Sequence, residues 1–187
     1  MPRPTVLNPL FRSLKSTKGV GPQLQALLAR VLDTPDGQDP IMLDALFHMP
    51  SGVIDRRVGS GIAEAPVGTI ATLLVHVDEH IIPPRNSRSP MRVRVHDRSG
   101  EMVLVFFGNH GGWVEKALPV GEERYISGEI GFFGRDKQMT HPDFIVAPDK
   151  LDELPQVEPV YPLTQGLSSK ALRKVILAGL DAVPILP

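Results

Sequence analysis

Met91-Arg92-Val93-Arg94-Val95-His96, the turn Asp97-Arg98-Ser99-Gly100, and the apolar run Met102 to Phe107 form the most telling stretch of the chain. Met91, Val93 and Val95 alternate with Arg92, Arg94 and His96, the period-two signature of a strand with one wet face. The polar turn and the second run close a hairpin. Working outward, Thr69 to Ile82 is β-rich, and Trp113 to Leu118 reads as a short helix. Gly121 to Phe132 is extended, Phe133-Gly134-Arg135-Asp136-Lys137 turns, and Gln138 to Val146 returns. That is five strands with a helical insert between the third and fourth. Five short strands in this order predict an OB-fold barrel over residues 61–148, a mainly β fold with flanking helices.

Composition agrees. The 187 residues include 17 Gly and 19 Pro, a level of punctuation that disfavours a long-helix bundle. There is no Cys, which excludes disulfides and thiolate metal sites. No stretch reaches the roughly 18 apolar residues of a membrane span. The N-terminus lacks an apolar signal region, so a cytoplasmic protein is expected.

On either side of the barrel the period is helical. In residues 1–60, Gly19-Val20-Gly21-Pro22 opens a run with Leu24, Leu27, Leu28 and Val31 on one face, and Leu43, Leu46 and Phe47 begin a second short helix. This is a helix-hairpin-helix-like layout, in which Gly19 and Gly21 would let backbone N–H groups approach a phosphate. Residues 149–187 read as an acidic, proline-rich linker followed by a helix that Ser168 caps, with Leu172, Val175 and Ile176 as its apolar stripe.

The net charge of -1 conceals basic stretches. Arg3, Arg12, Lys15, Lys18 and Arg30 meet no acid before Val31, and Arg85, Arg88, Arg92, Arg94 and Arg98 face Asp97 alone. OB barrels bind oligonucleotides on the face of their second and third strands and at the loops joining strands one to two and four to five. Here those places hold Arg92 and Arg94, then Arg85 and Arg88, then Arg135 and Lys137. Phe106 and Phe107 are adjacent, so one enters the core and the other faces outward, either as a candidate base-stacking platform or packed under the insert helix with Trp113; the pattern does not say which. No catalytic residue is assigned: there is no Gly-Lys of a P-loop and no Gly-x-Ser-x-Gly elbow. His76, Asp78 and His80 share a strand face but are read as an ordinary polar strand end, and no metal or other cofactor is assigned to the chain. His141-Pro142-Asp143 reads as a turn.

Several motifs in order resemble the RecG family of bacterial ATP-dependent DNA helicases. They are Lys18-Gly19-Val20-Gly21-Pro22; Leu46-Phe47-His48-Met49-Pro50 with Ile54-Asp55-Arg56-Arg57; Asp97-Arg98-Ser99-Gly100 followed by Phe106-Phe107; His141-Pro142-Asp143-Phe144; and Tyr161-Pro162-Leu163-Thr164-Gln165-Gly166-Leu167 with Leu172-Arg173-Lys174. Ile54 departs from the family's aromatic at that place. The resemblance implies that the chain is the wedge portion, an OB barrel ahead of two superfamily 2 helicase domains that it lacks. It also implies grip and strand-splitting of branched DNA at forks and junctions, in recombination, repair and fork reversal, with Phe106 and Phe107 as the aromatic platform at the branch. ATP and Mg would belong to the missing domains, and single-stranded-DNA-binding protein to the partners of a nucleoid-associated monomer. On the residues alone, a generic single-strand-binding OB module and a protein-interaction OB module stay open.

Overall fold

The computed structural model describes residues 3–84, 87, 89–108 and 111–185. In chain order its main elements are α1 (Pro22–Val31), α2 (Met42–Phe47), β1 (Gly52–Asp55), β2 (Ile70–Ile81), β3 (Met91–His96), β4 (Glu101–Phe106), α3 (Gly111–Ala117), β5 (Glu123–Phe133), β6 (Asp136–Thr140), β7 (Phe144–Val146), β8 (Val157–Val160) and α4 (Ser169–Asp181). The chain forms two compact units, one of Met1–Val53 with Pro159–Pro187, the other Ile54–Glu158.

The second unit is a closed barrel of OB type. β2 pairs antiparallel with β3, and β3 with β4; β4 then runs parallel to β6, β6 pairs antiparallel with β5, and β5 closes the ring on β2. The alternation in β3 falls as its sequence dictates: Met91, Val93 and Val95 are buried, and Arg92 and Arg94 exposed. The interior is filled by Leu73, Val75, Val77, Met102, Leu104, Phe106, Ile126, Ile130 and Met139, with Val114 and Leu118 from α3 and its C-terminal edge. Each fully buried side chain of this size contributes about 1.5–3 kcal/mol of transfer free energy.

The run expected from Gln138 to Val146 is two strands rather than one. His141 has φ +47°, and Pro142 has no N–H to give a ladder. The ladder is interrupted there, and β7 continues antiparallel along β5 in the same direction as β6, two residues out of register, without a partner in β4. A second departure lies in the stretch read as linker. Pro148–Glu153 is a 3-10 segment, Leu154 is buried, and β8 pairs with β1 in a two-stranded sheet.

Residues 61–65 cover one end of the barrel and are tied down by both kinds of backbone group. Asp97 Oδ2 accepts from the Ile62 N–H at 2.7 Å, and Ser99 Oγ from the Ala63 N–H at 2.9 Å. Lys137 Nζ donates to the carbonyls of Ile62, Ala63 and Ala65 at 2.7–2.8 Å. Burial by itself would raise the Asp97 carboxyl. Hydrogen bonds from Ser99 Oγ and from the N–H groups of Ile62, Ser99 and Gly100 outweigh it and hold the group below its ordinary value. A depressed carboxyl stabilises the fold above its unfolded value of about 3.9, and that stabilisation is lost as pH falls through the folded value. Asp97→Asn is therefore expected to lower stability by about 2 kcal/mol at pH 7. The gap from wild type should narrow below about pH 4. Urea midpoints at pH 7 and pH 3 check this; a gap that is constant with pH would show that the charge is irrelevant.

The first unit is helical. Ser168 Oγ accepts from the Ala171 N–H at 3.2 Å and so caps α4. Leu172, Val175 and Ile176 of α4 are buried with Leu28, Met42 and Ala45. Gly179 permits the closest approach: a Cβ there would lie 2.7 Å from Met42 Sδ and 3.0 Å from Leu46 Cδ2. Among the described residues no helix is long and apolar enough to cross a membrane.

Candidate nucleic-acid interface

Alternation along β3 and β4, with their register, builds one outward face. Arg92 stands opposite Val105 and Arg94 opposite Val103, and Phe107 follows Val105 on the same side. β6 adds Gln138 beside Val103 and Thr140 beside Val105. The face is thus a short apolar floor bordered by a guanidinium and aromatic rings.

The choice between the adjacent phenylalanines is now clear. Phe106 is 2% exposed and sits in the barrel core, with its ring edge-to-face on Trp113 at 6.3 Å. That corrects its assignment as a DNA contact: a ring closed in the core has no face to offer a base. Phe107 is 53% exposed. Its N–H donates to His141 Nε2 at 3.1 Å, and the two rings lie 6.0 Å apart. His141 is in turn held to β4 by its own N–H, which donates to the Val105 carbonyl at 2.9 Å. Gly108, next in the chain, has φ +92°, a conformation that disfavours a side chain.

Across the face, Phe133 is 67% exposed and lies under the Arg92 guanidinium, 5.7 Å from ring centroid to Cζ. Arg92, Val103, Val105, Phe133, Asp136 and Gln138 line a small cleft between the two. Phe132 is exposed at the same hairpin, and Arg135 is exposed at its tip. Phe132 and Phe133 were not singled out from the sequence. The signal was present: a second Phe-Phe pair, at a strand end where neither ring can be covered by a longer strand.

The basic candidates separate by what already holds them. Arg92 and Arg135 are exposed, Arg92 with its guanidinium over Phe133. Arg94 is paired with Glu79 at 3.1 Å, which reduces its field at a phosphate. Lys137 spends its three donors on the carbonyls of residues 62–65, so its reading as a phosphate contact is corrected to that of an anchor. Arg85 and Arg88 lie outside the described residues. Gly19 and Gly21 are in the helical unit. Gly21 is the N-cap of α1 with open space around it, while Gly19 has φ +92° and a Cβ there would lie 3.4 Å from Lys174 Nζ.

Arg56 and Arg57 are consumed internally. Arg57 donates to Asp55, and those hydrogen bonds hold the Asp55 carboxyl down to about 2. Arg56 is 4% exposed and reaches Glu158, Asp143 and Ser127.

Comparison with known proteins points in one direction. The helicase RecG of Aquifex aeolicus (strain VF5), an ATP-dependent DNA helicase by name, is 31% identical over 145 residues, 75% of this chain and 18% of that protein. Its counterpart from Escherichia coli O127:H6 (strain E2348/69 / EPEC) is 32% identical over 171 residues, 90% of this chain and 23% of that one. The chain therefore spans about a fifth of the length of these relatives. A solved structure of RecG bound to a three-way DNA junction superposes with TM-score 0.66 at 20% identity, covering 90% of this chain and 22% of that one, which establishes the shared fold. Residues 13–183 match the RecG wedge domain, and the chain belongs to that family.

Proposed function

We propose that this chain is the branched-DNA-binding and strand-splitting wedge of an ATP-dependent DNA helicase. The observation that carries the reading is Phe107, exposed at the end of the same sheet face that presents Arg92 over Phe133. Guanidinium groups position a phosphate backbone without reading sequence. An exposed ring beside them can cover a base pair whose outer neighbour has been removed. Parting strands costs a few kcal/mol per unstacked step, and stacking on an aromatic offsets about 1–3 kcal/mol of it. A face with one aromatic edge and one cationic edge thus favours a duplex end at a branch over continuous duplex, which exposes no base face.

The relatives named as RecG helicases are four to five times longer than this chain. In this reading their remaining length holds the motor, with its ATP and Mg2+, and barrel residues 61–148 form the wedge. Residues 149–187 lead toward the motor. The whole protein would act as a monomer at the nucleoid in the cytoplasm, on forks and on three- and four-way junctions, with single-stranded-DNA-binding protein as a further partner.

The salt dependence of fork binding tests the positioning role. Each phosphate contact contributes about 0.9 to the slope of log K against log salt. Arg92→Ala and Arg135→Ala are each expected to reduce the slope by about 1. Arg94→Ala should reduce it less, because Glu79 already neutralises that charge. Lys137→Met should leave the slope unchanged while lowering the melting temperature. Unchanged slopes in both Arg92→Ala and Arg135→Ala would place the phosphate contacts elsewhere.

A further inference from the structure

We propose that His76, Asp78 and His96 form a binding site for a divalent cation of zinc type, bridging β2 and β3. His76 and His96 are direct cross-strand partners, with ring centroids 5.0 Å apart. The ladder between β2 and β3 then slips between Val77 and Glu79, leaving Asp78 as the extra residue of a bulge. Bulges re-aim side chains, and this one turns the Asp78 carboxylate between the two rings. Asp78 Oδ1 lies 2.7 Å from His96 Nδ1 and 3.5 Å from His76 Nδ1. Ligating atoms of the three residues all fall within 4.8 Å of one another.

These separations suit the chemistry. Imidazole nitrogen and carboxylate oxygen bind zinc at about 2.0–2.2 Å, so tetrahedral ligands sit roughly 3.3 Å apart. The two nitrogen-to-oxygen distances bracket that value, and rotation of the rings about χ2 brings the nitrogens together at little cost. His76 Nδ1 is buried and makes no hydrogen bond among the described residues. A cation held between that nitrogen and the Asp78 carboxylate would give it a partner. Glu101 stands opposite His96 and Glu123 opposite His76, which adds negative potential on both flanks. Of the two guanidiniums that border the group, Arg94 is paired with Glu79, and Arg98 lines the groove beside the two histidines. His76 and His96 also border an open groove of about 530 Å3, so water can fill a fourth coordination position. His80, which shares the strand face with His76 and Asp78 in sequence, is not in the group: its Nε2 lies 2.7 Å from the Leu118 carbonyl oxygen.

Equilibrium dialysis of the untagged chain against zinc chloride in a non-chelating buffer tests the site, with cobalt(II) absorption as the report on geometry. The expected result is one ion per chain, a low-symmetry cobalt spectrum and a melting temperature raised by zinc. Asp78→Asn and His96→Gln should each weaken binding by more than the 10–100-fold typical of losing a partner outside the coordination sphere. His80→Gln should bind as wild type. No stoichiometric uptake by the wild type would overturn the proposal. So would equal binding by Asp78→Asn, His96→Gln and the wild type, provided that melting curves show all three folded.

Discussion

Phe107→Ala is expected to weaken binding to a model replication fork by about 5- to 150-fold, the equivalent of 1–3 kcal/mol for one stacked base. Binding to uninterrupted duplex of the same length should change by less than about twofold, because a continuous stack offers no face to the ring and the arginines are untouched. Phe107 is the right residue for this test. Its side chain is exposed, it lies outside the barrel core, and its backbone N–H keeps its bond to His141 after truncation. Phe106→Ala gives the opposite pattern: a large cavity in the core, about 3–5 kcal/mol of lost stability, and no selective effect on forks while the protein is folded. Anisotropy titrations with both DNAs, paired with melting curves, separate the two. Equal loss on fork and duplex in Phe107→Ala would remove the stacking role.

A second large stability effect is expected at Arg56. Its Nε donates to Glu158 at 2.8 Å, and Nη1 reaches Asp143 at 3.0 Å and Ser127 Oγ at 3.0 Å. The guanidinium lies over the Phe144 ring at 5.0 Å, and Ser127 Oγ accepts a further bond from Thr72 Oγ1 at 2.9 Å. One side chain therefore joins the segment after β1 to β5, to the turn before β7, and to β8. Arg56→Ala leaves Ser127 short of a partner and two carboxylates without their cation. Breaking a fully buried pair costs 3–5 kcal/mol. Asp143 is 47% exposed and Glu158 19%, so solvent recovers part of that. The expected loss is about 3 kcal/mol, or roughly 10 °C in melting temperature for a chain of this size. Arg56→Lys should recover little, since an ammonium cannot span three partners as a fork does. A loss below about 1 kcal/mol in urea titrations would show that the network is dispensable.

Much of the barrel was legible because period-two alternation is a strong local signal. The β3 residues Met91, Val93 and Val95 face inward as their spacing requires, and the hairpin turn at Asp97-Arg98-Ser99-Gly100 sits where the polar cluster lies. What was not legible depends on distant partners. Lys137 looked like an exposed cation at a binding loop, but its three acceptors come from residues 62–65, far away in sequence. Phe106 and Phe107 are equivalent to any alternation rule until α3 covers one side of the barrel with Val114 and Leu118. His96 joins Asp78 and His76 because a bulge shifts the ladder by one residue, and no propensity marks that bulge. β1 and β8 escaped notice because each has four residues and they pair only with each other. Short strands carry too few alternations to read. The roles of Arg56 and Arg57 were equally hidden, since their guanidiniums are used by Asp55, Glu158 and Asp143.

The central claim is that the exposed ring and guanidinium on one barrel face select a branch over plain duplex. A competition experiment tests it most directly. A labelled model fork bound to the wild-type chain would be challenged with unlabelled fork, duplex and single strand, at low and at near-physiological salt. The expected result is that the fork competes at least about tenfold better than either, a difference of 1.4 kcal/mol or more that survives the higher salt because stacking is not screened. Equal competition by all three DNAs, or a preference that vanishes with added salt, would contradict it and leave only a general electrostatic grip on nucleic acid.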